Sequence, residues 1–431
     1  MKVTGVSEFK RRRSALLSIM EPGSIAMVPS AVLSIRNRYV THPFRQDSDF
    51  YYLTGFKYPG ACLVLIPGRD SGESILFCPE VTDQTVMWHG EHISPESAPD
   101  ILAVDDAFPI EDIDDILPGL LETRQRIYCN MGHQPDFDTR LLNWIEQLDS
   151  KKSGEFSDLS YLLHEQRLIK STREQASIRK AAKISAKAHN RAMKAVHHGL
   201  YEYQLDAEIQ HEFAMSGARR AAYISIVASG INGCTLHYME NSKKMQDGEL
   251  VLVDAGCEFD YYASDITRTY PVSGVFTDAQ RTLYDLVLRS QHAAIELIIP
   301  GNSFEQSHDA AYKAIYNGLV AEGIIATGFD IKDWFMHRTA HWLGMDVHDV
   351  GDYRIGDTWR MLEPGMVMAV EPGLYIPQNE IRVAPKWRGI GIRIEDVVLV
   401  TKNGNEVLSE DAIKDPGKIE QWMNHGQASL F

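Results

Sequence analysis

Two stretches of this chain repeat one another at a constant spacing, and that repeat restricts the folds open to it. DGELVLVDAG, beginning at Asp247, lies on EPGMVMAVEPG, beginning at Glu363, at an offset of 117: Gly248 falls on Gly365, Val253 on Val370, Asp254 on Glu371 and Gly256 on Gly373. A weaker match at an offset of 130 lays Asp265 on Glu395 and Gly274 on Gly404. The change of 13 between the two offsets reads as one loop insertion between paired strands. The C-terminal part is therefore expected to consist of two related halves, each with two carboxylates at equivalent places.

Asp254 in LVLVDAG, Asp265 in ASDITRT, Glu371 in MAVEPG and Glu395 in IRIEDV each sit within or at the end of an apolar, β-branched run, and His341 in TAHWLG joins them as a candidate. Short runs of this kind read as buried strands, and acidic residues are almost never fully buried unless paired. A turn near Phe259–Asp260 would place Asp254 and Asp265 opposite each other on adjacent strands, about 5 Å apart. Glu371 and Glu395 can do the same around a longer loop holding Pro377, Pro385 and Gly389. Like charges so close raise one another's pKa. Two divalent cations cancel four carboxylate charges, and carboxylates bridge metals about 3.5–4 Å apart in two-metal hydrolases. Hard oxygen ligands with one imidazole favour Mn2+, with Co2+, Zn2+ or Fe2+ as alternatives; calcium would use more carbonyl ligands and no histidine. The competing reading, strand-edge acids in ordinary ion pairs, suits any one of these residues better than all of them together. Asp247 and Asp278 are better read as turn or cap residues.

At 431 residues the chain is long for one core, and two domains are expected. Residues 1–170 mix strands (SIAMVPS, FYYLTGF, ACLVLIPG, SILFCPE, RIYCN) with helices (FKRRRSALLSIM, with a basic face, and FDTRLLNWIEQLDS) and read as a small α/β domain. The polar stretch from Lys151 to Gly154 is a loop, but the apolar LSYLLHEQRLI after it moves the boundary to Lys170. Residues 171–431 open with a capping box, Ser171 with Glu174, starting a long helix that stops before Gly199. Further helices are expected around Leu205–Phe213, from Thr277 to Pro300, and from Glu305 to Glu322.

The formal net charge of −16 argues against a nucleic-acid partner. No apolar stretch approaches the length of a membrane span, and SALLSIM is too short for a signal-peptide core. Five scattered cysteines without CxxC spacing suit reduced thiols in the cytoplasm.

Three histidines, His337, His341 and His348, lie in FMHRTAHWLGMDVHDVG, and a fourth, His237, follows a Gly- and Asn-rich turn in GINGCTLHYMEN. Their pattern differs from the helical zinc-protease motif, which needs Glu directly after the first histidine; Arg338 stands there. One of the three as a metal ligand and two as substrate contacts is the preferred division.

Taken in order, FRQDSDFYYLTGF, ASGINGCTLHYMEN, LVLVDAGCEFDYYASDITRTYPVSG, HWLGMDVHDVG, AVEPGLYIP and GIRIEDVVLV resemble the Xaa-Pro aminopeptidase (aminopeptidase P) family of pita-bread metallopeptidases, over nearly the whole chain. The resemblance implies a small N-terminal α/β domain followed by a pseudo-twofold pita-bread catalytic domain. It implies a metal-dependent exopeptidase that releases the N-terminal residue from peptides with proline second, through a hydroxide bridging two divalent metals. Asp254 would hold one metal, His341 and Glu371 the other, and Asp265 and Glu395 both. Glu371 would also move protons. His237 and His348 would steady the scissile carbonyl and the oxyanion, and His337, Tyr375 and Arg393 would line the proline pocket. Trp88, in VMWHG, would reach toward a substrate pocket in a neighbouring subunit of a homodimer or homotetramer. A prolidase restricted to Xaa-Pro dipeptides is the alternative within the family. Arg338-Thr339-Ala340 departs from the small or apolar residues expected between the first two histidines, which puts the shape of the proline pocket in question.

Overall fold

The computed structural model describes residues 5–122, 124–148 and 154–427; the expected loop residues 151–153 and the last two residues of FDTRLLNWIEQLDS lie outside them. The chain divides into two compact units, Met1–Gln166 and Arg167–Phe431.

The first unit is built on a mixed six-stranded sheet, in the order Asp106–Pro109, Ser74–Cys78, Cys62–Leu65, Ser24–Pro29, Arg126–Cys129 and Glu155–Asp158. Alternate residues Ile25 and Met27, Cys62 and Val64, Ile75 and Phe77, and Ile127 and Cys129 point to one face. There they bury Ile113, Leu117 and Leu121 of helix Ile113–Leu121 and Leu141 and Trp144 of helix Pro135–Glu146, as a period of two requires. FYYLTGF, expected as a strand, is instead the end of helix Ser48–Thr54. The Asp47 side chain accepts from Phe50 N at 2.8 Å, and Gly55 ends the helix at φ 69°. These two caps outweigh the β preference of Phe-Tyr-Tyr. The basic face of the first helix, Val6–Ile19, is also not what it promised. Arg12 and Arg13 are buried, donating to the carbonyl oxygens of Tyr52 (3.1 Å) and Leu53 (2.8 Å).

The second unit shows the repeat as architecture. Each half supplies two helices and then an antiparallel sheet: Thr172–Ala195 and Glu202–Met215 before Ile226–Ser229, Leu250–Asp254 and Thr267–Pro271; Asp278–Glu296 and Phe304–Ala321 before Ala340–Trp342, Val367–Val370, Asp396–Thr401 and Gly404–Val407. Capping boxes open the helices at Ser171/Glu174, Thr277/Gln280 and Ser303/Gln306, the last unremarked in the sequence. Both halves bury into one apolar core, from Ile184, Ile209 and Phe213 to Trp342, Met368 and Val398. Asp254 ends the strand Leu250–Asp254, and Asp265, Glu371 and Glu395 lie in short breaks between strands.

Candidate metal centre

In the second half, Val370 pairs with Asp396 and Gly373 with Arg393 in one continuous register, so Glu371 stands opposite Glu395. The first half is different. Asp254 pairs with Thr267, and Glu258 with Ala263, which puts Asp265 across from Gly256. The expected opposition of Asp254 and Asp265 is therefore shifted by two residues. Because strand side chains alternate with a period of two, the shift leaves both on one face. The ladder is broken between Ala255 and Ser264, and Gly256 permits the break: a Cβ there would lie 1.8 Å from the Ser264 carbonyl oxygen. Beyond it Asp260 and Tyr261, at φ 50° and 70°, make the tight turn.

The carboxylates meet. Asp265, His341 and Glu395, all buried, offer ligand atoms within 4.8 Å of one another. His341 Nε2 lies 3.4 Å from Asp265 Oδ2 and 3.7 Å from Glu371 Oε1, while its Nδ1 is 3.0 Å from the Trp342 carbonyl oxygen. A carbonyl only accepts, so Nδ1 carries the hydrogen and Nε2 is turned to the acids. Asp254 joins through Tyr223, whose hydroxyl lies 2.6 Å from Asp254 Oδ1 and 2.5 Å from Asp265 Oδ1.

Four acids cannot all be ionised here without compensation. Burial raises Glu371 to about 7, against the opposing charges of His341 and Arg393. Burial and then Asp265, Asp254 and Glu371 raise Glu395, and burial raises Asp254 despite Arg393. Burial also disfavours charge on His341, but the hydrogen bond to Asp265 and the charges of Glu371 and Asp265 outweigh it and lift the ring to about 9. Raised carboxylates beside a raised imidazole describe a site short of positive charge. The donor set, four carboxylates and one imidazole nitrogen, fits a divalent metal centre.

Around these acids His337 Nε2 is 2.8 Å from the Tyr375 hydroxyl, and His337 Nδ1 is 3.7 Å from Glu371 Oε2. Burial, with Arg393 nearby, lowers His337 to about 4. The rings of His341 and His348 stack at 4.1 Å. His237, on an exposed turn, is near enough to lower the pKa of both His337 and His348. Arg393 is buried and committed. It donates to Asp254 Oδ2 (2.6 Å), Tyr375 Oη (2.9 Å) and Thr267 Oγ1 (3.1 Å). Trp88 belongs to the other unit, 74% exposed on helix Asp83–His89.

Sequence reading missed Tyr223 and Thr267, whose hydroxyl donates to Glu395 Oε2 at 2.7 Å. Both lie in runs where Tyr and Thr pass for ordinary strand formers. It also missed the charges behind Glu395. Arg268, fully buried, donates to the Glu395 carbonyl oxygen (2.5 Å) and to Asp396 Oδ1 (2.7 Å), and Lys414 donates to Asp396 Oδ2 (2.6 Å). Although burial acts the other way, these cations lower Asp396 to about 2. Arg338, which departs from the expected pattern, pairs with Glu305 (2.5 Å) and lies 4.6 Å over the Trp359 ring.

Residues 176–402 match metallopeptidase family M24, and residues 9–128 match the aminopeptidase P N-terminal domain. The Xaa-Pro aminopeptidase of Escherichia coli is 43% identical, over 96% of this chain and 97% of the relative. The structure of Pseudomonas aeruginosa aminopeptidase PepP is 50% identical with a TM-score of 0.96, covering all of both chains. Zn-substituted E. coli aminopeptidase P in complex with product is 42% identical with a TM-score of 0.94, covering 99% of each chain. The chain belongs to metallopeptidase family M24, with the N-terminal domain of aminopeptidase P and the pita-bread catalytic fold, and that family's chemistry uses divalent metal.

Proposed function

We propose that this member of family M24 is an Xaa-Pro aminopeptidase, a hydrolase that releases the N-terminal residue from peptides whose second residue is proline. The observation that carries the reading is the convergence of Asp265, His341 and Glu395 on one buried point, in a chain whose near-full-length relative is an Xaa-Pro aminopeptidase. The N-terminal domain match and that relative favour the aminopeptidase over the prolidase alternative.

Asp254, Asp265, His341, Glu371 and Glu395 would hold two divalent metals, Mn2+ by the hardness of the donors. Bound there, the metals supply Lewis acidity and a water acidified toward neutral pH. The protein's own part is positioning and proton transfer. Glu371, less buried than Glu395, would take a proton and deliver it to the proline nitrogen, which leaves as a secondary amine. His237 and His348 are on the accessible side of the cluster, where they can donate to the carbonyl oxygen as it becomes an oxyanion. His337, braced by Tyr375, can face the proline ring, which has no N–H of its own. Arg393 then acts chiefly by orienting Asp254 and Tyr375, with its contribution to the pocket made through them.

Among the described residues no helix is long and apolar enough to cross a membrane; the five cysteines are free, which suits a cytoplasmic enzyme. The exposed Trp88 suits a homodimer or homotetramer in which it meets substrate bound by another copy. The test of the substrate class is a comparison of Xaa-Pro dipeptides with Xaa-Pro-Yaa tripeptides. The proposal expects cleavage of the longer peptide at the Xaa-Pro bond, and strict dipeptide preference would contradict it.

A further inference from the structure

His189 is fully buried on helix Thr172–Ala195, yet its polar contact goes to the chain that bears two of the acids. Its Nε2 lies 2.9 Å from the carbonyl oxygen of Ala255, the residue after Asp254, and Ala255 N in turn donates to the carbonyl oxygen of Ile266, the residue after Asp265, at 3.0 Å. The carbonyl accepts, so Nε2 carries the hydrogen; among the described residues Nδ1 has no hydrogen-bond partner. One turn earlier on the same helix, Ser185 Oγ is 2.6 Å from Ser264 Oγ and accepts from Cys257 N at 3.0 Å. Ser264 immediately precedes Asp265. These contacts fall where the strand ladder is broken and Asp265 stands across from Gly256. An apolar side chain would fill the place of His189 without the cost of burying an imidazole. The polar ring is explained if the carbonyl it engages must be held.

We infer that His189 and Ser185 are positioning residues that set the spacing of Asp254 and Asp265 across the broken ladder, and through it the affinity of the acid cluster for divalent metal. The inference rests on the metal-binding reading above. Burial keeps the ring of His189 neutral, at a pKa of about 4, so it serves as a hydrogen-bond donor of fixed tautomer. Groups that orient metal ligands without touching the metal commonly change affinity by about 10–100-fold.

The experiment is calorimetric titration of the full-length, metal-stripped protein with Mn2+, alongside His189→Leu, His189→Gln and Ser185→Ala. Thermal melts and Mn2+ electron paramagnetic resonance spectra are recorded on the same samples. His189→Leu should weaken at least one site by about 10-fold or more, lose part of the spin-coupled two-metal signal, and melt lower chiefly in the loaded state. His189→Gln, which keeps a donor, should recover part of the affinity. Ser185→Ala removes only a hydroxyl and should show a smaller loss in the same direction, which decides the matter if His189→Leu does not fold. Affinities for both sites within about twofold of the parent in the folded variants would overturn the inference and leave the metal reading intact. A parent protein that takes up no Mn2+ would overturn both.

Discussion

Glu371 and Glu395 stand opposite each other in one antiparallel register, between the pairs Val370–Asp396 and Gly373–Arg393. Two acids in that relation destabilise the fold unless a proton or a cation lies between them. Glu395→Gln removes one charge and keeps the shape. The variant should be at least as stable as the parent when both lack metal, should gain little melting temperature from Mn2+, and should lose about 10^3-fold or more in kcat. Melting curves with and without Mn2+, together with kcat, check this; a variant stabilised by Mn2+ as strongly as the parent would contradict it.

The same acids give the metal-free protein a pH dependence of definite sign. Glu371 moves from 4.5 to about 7 on folding, so the folded state holds its proton more tightly. The stability this contributes is complete below about pH 4.5 and is lost as pH rises through about 7. His341, raised from 6.5 to about 9, adds a loss of the same sign at higher pH. Asp396, lowered to about 2, acts oppositely below this window, and His189 and His337, each lowered from 6.5 to about 4, act oppositely up to about pH 6.5. Urea midpoints in chelator should therefore fall between about pH 6.5 and pH 9, and added Mn2+ should raise the midpoint more at the upper pH. A midpoint that rises with pH in chelator would show that these acids are not protonated in the folded protein.

Arg268 is expected to matter for stability and metal binding together. Its guanidinium holds the Glu395 carbonyl and the Asp396 carboxylate, both buried. Arg268→Met leaves Asp396 with Lys414 as its remaining cation and should cost about 3–5 kcal/mol, measured by urea unfolding, with Mn2+ affinity reduced as well. A loss below about 1 kcal/mol would mean that the network relaxes around the change.

Arg338 invites the opposite expectation. It departs from the small residues anticipated before His341, but its side chain is occupied with Glu305 and Trp359. Arg338→Gly should therefore leave kcat/KM for an Xaa-Pro-Yaa peptide within about twofold of the parent. A larger change would place the side chain in the substrate path.

What could be read in the sequence was set by charge in the wrong place. Asp254, Asp265, Glu371 and Glu395 are conspicuous because acids interrupt apolar runs, and the repeat ties them together; the structure does bring them, with His341, to one cluster. Tyr223 and Thr267 were hidden because their residue types are at home in strands, and only their hydroxyl contacts set them apart. The two-residue shift of Asp265 was hidden because alternation looks the same after a slip of two. FYYLT misled because local β preference is weaker than two good helix caps, and Arg12 and Arg13 because a buried guanidinium can be satisfied by backbone carbonyls that lie 40 residues away.

Hydrolysis of an Xaa-Pro-Yaa peptide by metal-stripped protein, titrated with Mn2+, tests the central claim most directly. Release of the first residue should be negligible without metal and should rise to a plateau as metal is added, with at most two equivalents bound per chain and Asp265→Ala inactive throughout. Full activity in the stripped protein, or activity in Asp265→Ala equal to the parent, would contradict the account.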